Sequence, residues 1–286
     1  MKNILLIILI NALRLSAMET ETLHSSASVY YENINFSNSL QKENGNVYGV
    51  GADLHYGVSE LQVTYERGET NTIQPPLSDD LKTDKLFFKY GHKINEKLAI
   101  NLHSISILND NIAITDKGQG YGVGLEYSFS DAFSTSFTQY YSDYYDFDVY
   151  QSDIKLAYKV EIDKFHMKFS SITKYINIDE SNANIFTKNA KENYLTSGLK
   201  FHSHYQSYHF GFGAYFGERI FAIMNDGLKV QHHSMRIDRT YVLGIGKNIS
   251  DFVLRAQYIF QRAEELPLKN KNVYTKNTRF IVSHKF

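Results

Sequence analysis

Residues 150–162 read YQSDIKLAYKVEI. Tyr150, Ile154, Leu156, Tyr158, Val160 and Ile162 fall on one parity, and Gln151, Asp153, Lys155, Lys159 and Glu161 on the other. An extended chain sends successive side chains to opposite faces, so this stretch reads as a strand with one apolar and one charged side. Its length decides what kind of strand it is. Half-burial on a soluble core needs fewer residues, whereas a tilted strand crossing a bilayer needs roughly 9–11. Asp163-Lys164 then supplies a tight turn, and Phe165, Met167 and Phe169 open a return strand.

The same alternation recurs in GYGVGLEYSF, AFSTSFTQYY, NYLTSGLKFHSHY, SYHFGFGAYF, RTYVLGIGK and FVLRAQYIFQ. Such runs number about fourteen, starting near residues 25, 47, 60, 83, 98, 120, 132, 149, 165, 193, 208, 236, 252 and 275. The first is the weakest in pattern, which leaves twelve strands as the alternative. Short turns fall at Val58-Ser59, 95–97, Ser130-Asp131, Asp163-Lys164, Gln206-Ser207 and Ser250-Asp251. Longer polar stretches lie near 37–46, 69–82, 109–119, 143–148, 178–192, 222–235 and 264–274. Short turns on one side and long loops on the other predict an all-β, transmembrane, antiparallel up-and-down barrel, with periplasmic turns and extracellular loops.

Composition agrees. The chain of 286 residues has no Cys and no Trp, but 22 Tyr and 19 Phe. Without disulfides, an exported protein must be held by extended pairing or a large core. Tyrosine in this quantity suits membrane interfaces. Thirty basic against 31 acidic residues give no case for nucleic acid. A mean hydropathy of -0.36 excludes a helical membrane protein but not a barrel, whose strands meet lipid with alternate residues only. The opening MKNILLIILINALRLSA pairs a lysine with an apolar run from Ile4 to Leu13, then the small residues Ser16 and Ala17. That reads as a signal peptide over 1–17, followed by a barrel domain over 18–286.

The chain ends TRFIVSHKF, with Phe280, Val282, His284 and Phe286 on one parity. An exported chain of Tyr-rich alternating strands that closes on a terminal phenylalanine resembles Gram-negative outer-membrane β-barrel proteins. In size and strand number it is most similar to small monomeric porins of the OmpG type. The resemblance implies that these four residues are read by the barrel-assembly machinery. His284 departs from the family's usual tyrosine or phenylalanine. It also implies insertion among outer-membrane lipids and passage of small polar solutes.

Four glycine pairs, at 48–51, 121–124, 210–213 and 243–246, alternate with apolar residues. None opens a helix or carries a third glycine, so they are not nucleotide loops. They read as inward positions that let the barrel curve or that receive a neighbour's side chain. If the apolar parity faces lipid, the lumen holds Lys85, Lys89, Lys155, Lys159, Lys168, Lys174, Lys200, Arg255, Arg279 and Lys285, with Asp53, Glu66, Glu126, Asp153 and Glu161. Charges this dense require water or mutual pairing. The expected function is a narrow channel for diffusion of small polar or anionic solutes, without cofactor or metal.

Two other classes remain open to this sequence: an outer-membrane hydrolase, and a non-conducting structural, adhesive or assembly-accessory barrel. The phospholipase signature H-x-S-N-G is absent, and His103 and Ser104 in LHSISILND would point to opposite faces. Asp110, Asp116, His232 and His233 are the acid–base candidates for a protease-like rim. Asp143, Asp146 and Asp148 lack the spacing of a calcium loop. In FHSHYQSYHF, a turn at Gln206-Ser207 sets Tyr205 against Tyr208 outward and His204 against His209 inward, with His202 two residues up. This trio is a candidate pH-sensing cluster, with zinc as its lesser reading.

Overall fold

The computed structural model describes residues 23–74, 79–109, 114–181 and 187–286. The signal peptide read over 1–17 lies outside the described residues, as does Asp110. The strands are β1 (Leu23–Ser37), β2 (Lys42–Tyr56), β3 (Ser59–Thr72), β4 (Leu81–Lys93), β5 (Leu98–Asn109), β6 (Gln119–Ser128), β7 (Phe133–Tyr144) and β8 (Phe147–Ile162). They continue with β9 (Phe165–Ile178), β10 (Asn193–Tyr205), β11 (Tyr208–Arg219), the short β12 (Ile223–Met224) and β13 (Lys229–Val230), then β14 (Met235–Ile249), β15 (Phe252–Glu265) and β16 (Asn270–Lys285).

Fourteen of these close into one antiparallel barrel in chain order, while β12 and β13 pair only with each other. Closure is made by β1, which pairs with β2 on one side and β16 on the other, from Ser26↔Lys285 to Ser37↔Tyr274. The weakly patterned first strand is therefore a full member, and the count is fourteen rather than twelve. Closure leaves no unpaired sheet edge to face hydrocarbon, where each unsatisfied backbone group would cost several kcal/mol.

Outward positions form a continuous apolar belt that includes Val29, Val50, Leu86, Leu125, Phe137, Leu156, Phe169, Leu199, Phe212, Leu243 and Phe280. In water so large a belt would drive association; in a bilayer it is the lipid-facing surface. Tyrosines border it on the loop side, their hydroxyls turned to polar neighbours: Tyr31 to Asn46 at 2.6 Å, Tyr65 to Asp84 at 2.5 Å, Tyr175 to Asn193 at 2.6 Å. On the turn side stand Tyr127, Phe129 and Phe133, with Phe165 stacked on Tyr205. Here too sits the carboxyl end, where the Phe286 N–H donates to Ser25 O at 2.9 Å. The His284 ring packs edge-on between Phe252 and Phe286.

Some inward glycines receive a neighbour's ring, whereas a Cβ at Gly211, Gly213 or Gly244 would meet nothing nearer than 3.6 Å. Tyr30 lies over Gly49, Tyr140 over Gly122 and Tyr215 over Gly198, each directly across the ladder. A Cβ on Gly49 would meet the Tyr30 ring at 2.0 Å, so only glycine admits that tyrosine.

Four of the expected loops need correction. The stretch 143–148 is a tight hairpin, because Tyr144 and Phe147 face inward and are buried. Residues 37–46 and 264–274 shorten to connections over 38–41 and 266–269, since β2 and β16 begin earlier than the pattern indicated. The stretch around 222–235 is not an outward loop at all.

Replacing Gly49 by valine should displace the Tyr30 ring and lower barrel stability by about 1–3 kcal/mol. Thermal melting of the heat-modifiable folded form checks this. A Gly49→Val barrel that melts with the parent would show that the ring has no fixed seat.

Candidate functional site

β11 ends in a bulge at Gly217, whose φ of 95° suits glycine, and the chain then turns into the barrel. The sequence explains the direction. Ile220, Phe221, Ala222, Ile223 and Met224 form an apolar run that an outward loop would leave wet; here all five are buried. A reversal over Asn225–Gly227, with positive φ at all three residues, returns the chain through β13 to β14. A Cβ at Gly227 would lie 2.2 Å from His103 Nδ1, so this tip approaches the β5 wall as closely as glycine allows.

Polar contacts fix the loop to both sides of the lumen. The Gln151 side chain accepts from Ile223 N–H and donates to Ile223 O, both at 2.8 Å, as a neighbouring strand would. Lys174 donates to the same carbonyl at 3.0 Å and pairs with Asp153. Lys155 Nζ meets Asp226 Oδ2 at 2.7 Å. On the opposite wall, Lys229 stands 3.5 Å from Glu32, which also binds Arg279 and accepts from Asn277 at 2.6 Å. Glu66, paired with Lys85 at 2.8 Å, accepts from the Tyr30 hydroxyl.

The loop divides the interior. Toward β4–β10 its apolar residues pack against Phe87, Ile105, Ile107, Tyr144, Phe147, Ile172, Ile176 and Ile178 in a dry cluster. The rule that apolar parity faces lipid therefore fails here: Ile172, Ile176 and Ile178 share their inward face with Lys168 and Lys174. Toward β14–β16 and β1–β4 lies a cavity of about 320 Å³. Its lining runs from Phe36 and Met235 near the loop side to Lys200 and His202 near the turns. Arg219 Nε and Nη1, Gln231 Oε1, His232 Nδ1 and Asn277 Oδ1 are buried in residues of this lining and have no protein partner among the described residues. Such groups are satisfied by water or a polar solute.

The predicted lumenal residues separate into two sets. Lys85, Asp153, Lys155 and Arg279 are consumed in ion pairs. Among the described residues, Lys89, Glu126, Lys159, Lys168 and Arg255 make no ion pair within 4.0 Å, and Lys200 lies over the Tyr215 ring at 5.8 Å. Glu161 meets His166 Nδ1 at 3.3 Å. The expected hairpin register holds: Tyr205 faces Tyr208, His204 faces His209, and His202 lies two residues up. His166, paired in register with His204, is a fourth histidine on this face that the sequence reading passed over, although it alternates with Phe165 and Met167.

His232 and His233 belong to this inward segment and are half-buried inside the barrel rather than displayed on an outward loop. His103 is buried inward and Ser104 lies on the opposite parity. Asp143 and Asp148 stand opposite each other across a hairpin. Among the described residues, the ligand atoms that gather in a group of three are those of His202, His204 and His209.

No protein-family model matches this chain. No curated protein matches it either. Solved structures do resemble it. The Acinetobacter baumannii outer membrane protein Omp33 aligns with a TM-score of 0.51 at 10% identity, over 92% of this chain and 99% of that one. A Pseudomonas aeruginosa FadL homologue aligns at 0.51 and 9%, over 92% and 90%. OccK8 (OprE) of the same organism aligns at 0.47 and 10%, over 92% and 98%. The fold is that of Gram-negative outer-membrane β-barrels; the finer likeness to the OmpG type rests on size and strand number alone.

Titration differs between the two ends of the loop. Burial alone would raise the Asp226 carboxyl, but Lys155 and Lys200 outweigh it and hold the group well below the usual carboxylate range. Its contribution to holding the loop is present above the free carboxylate value near 3.9 and is lost only as pH falls through the lower value. Burial pushes His232 and His233 well below the ordinary histidine value, helped at His232 by the neighbouring His233 and then Lys85, Lys42 and Lys229, and at His233 by Lys42 and Lys85. A depressed base favours the docked loop fully above about pH 6.5 and opposes it increasingly below. Acidification from pH 7.5 to 5 should therefore loosen the loop, and conductance should rise. Replacing His232 and His233 by asparagine should flatten that response. If the response instead disappears in a His202/His204/His209 triple alanine, the turn-side cluster is the sensor.

Proposed function

We propose that the protein is an outer-membrane channel for passive diffusion of small polar or anionic solutes, with its width set by the loop between β11 and β14. The observation that carries this reading is the cavity. It extends along the barrel beside the loop, and its wall carries buried polar atoms without a partner among the described residues, together with Lys200 and the ion-paired Lys85, Lys229 and Arg279, rather than a dry core. Lys159, Lys168 and Arg255 near the turns would concentrate anions in the wider mouth. Export by a signal peptide over 1–17, recognition of Phe280, Val282, His284 and Phe286 by the assembly machinery, and residence among outer-membrane lipids complete the proposal. Among the described residues no grouping of the candidate acids and histidines supports the hydrolase reading, and a non-conducting barrel would leave the cavity without a role.

Purified barrel added to planar bilayers should give discrete conductance steps with an anion preference. Changing Lys159, Lys168 and Arg255 together to glutamate should move the reversal potential toward cations. Absence of any step across several salts and voltages would overturn the channel, and an unchanged reversal potential would remove these residues from the ion path.

A further inference from the structure

We infer that His202, His204 and His209 form a transition-metal site for zinc or a metal of similar softness at the turn-side mouth of the lumen. Positions 202 and 204 lie two apart on β10 and so share one face, and the two-residue turn brings His209 of β11 opposite His204. His204 Nε2 and His209 Nδ1 are 3.4 Å apart. Two nitrogens bound at 2.0–2.1 Å to a tetrahedral zinc stand about 3.4 Å from each other. One ligand nitrogen from each of the three rings lies within 4.8 Å of the other two, a gap that a modest ring rotation closes.

A further contact fixes which nitrogen is available. His209 Nε2 lies 2.6 Å from Asn248 Oδ1, a carbonyl oxygen that can only accept. The proton is thereby held on Nε2, and the Nδ1 lone pair faces His204. The Asn248 backbone is itself held by its N–H, which donates to Ser207 O at 2.7 Å. His209 is buried and held by Asn248, while His202 and His204 are open to the lumen. This gives one anchored ligand, two adjustable ones and a fourth position facing water.

The donor set selects the metal. Three neutral imidazoles suit zinc, copper or nickel, whereas magnesium and calcium need oxygen ligands. Lys168, the register partner of His202, and Arg255, beside Gly246 and His209, repel a dication. Glu161, reached through His166, offsets part of that charge. The expected affinity is therefore micromolar rather than tighter, and falls on acidification because protons compete for the same nitrogens.

The test is zinc titration of refolded barrel in detergent, read by calorimetry, with magnesium as control. The parent should bind one zinc ion and no magnesium. His204→Ala should abolish binding; its side chain is exposed, so the barrel should still fold and remain heat-modifiable. Asn248→Ala keeps all three ligands and should weaken binding by about 10–100-fold through loss of the fixed tautomer. No zinc binding by the parent, or equal binding by parent and His204→Ala, overturns the site. Because binding is measured without conductance, a barrel that binds zinc but never conducts would refute the channel and leave the site standing.

Discussion

The packing of Ile220–Met224 against the inward apolar wall of β4–β10 is the interaction on which the interior depends. A barrel of fourteen strands is too wide for wall side chains alone to fill, yet narrower than the large open porins. What occupies the space is a segment of the chain itself. Its apolar half is drawn to the inward isoleucines and aromatics of β4–β10, and its tip is fixed by the Asp226 ion pair and the Gln151 bonds to Ile223. That pair is partly exposed, so the tip is seated jointly by it, by the Gln151 and Lys174 bonds to Ile223 and by the buried apolar residues behind it.

Outside and inside follow different rules on the same strands. Lipid demands an apolar surface and backbone pairing; the belt meets the first with few hydroxyl interruptions such as Thr173 and Ser197, which bond each other, and barrel closure meets the second. The interior is heterogeneous: a dry cluster on one side of the loop, a polar cavity on the other, and an open, histidine-rich mouth near the turns. The Tyr–Gly pairs belong to this economy of space. Each lays a large ring flat along the wall, so that Tyr30 and Tyr215 line ion pairs and cations instead of obstructing the cavity.

The barrel was legible in the sequence because lipid imposes a strict alternation, and the hairpin at Gln206-Ser207 fixed the histidine register. The interior was legible only where water or ion pairs keep it polar. Ile172, Ile176 and Ile178 lie inward because the loop covers them, and parity alone has no means to distinguish lipid from a dry lumen. The inward loop had a signal of its own. Ile220 to Met224 is an apolar run of the kind that exposed loops avoid, and Gly227 followed it at a reversal. His166 was visible in the alternation of β9, yet its role emerges only from the neighbouring strand, where His204 and His209 meet it in one row. No local pattern could forecast that Asn248 would set the His209 tautomer.

The central claim is that residues 220–234 lie within the barrel and set the width of the passage. Single-channel conductance of a variant in which residues 221–233 are replaced by a short Gly-Ser turn tests it most directly, since β11 and β14 are left whole. The account predicts a heat-modifiable barrel whose conductance is several-fold larger than the parent's. An intact barrel with unchanged conductance would place the loop outside the path and contradict the account.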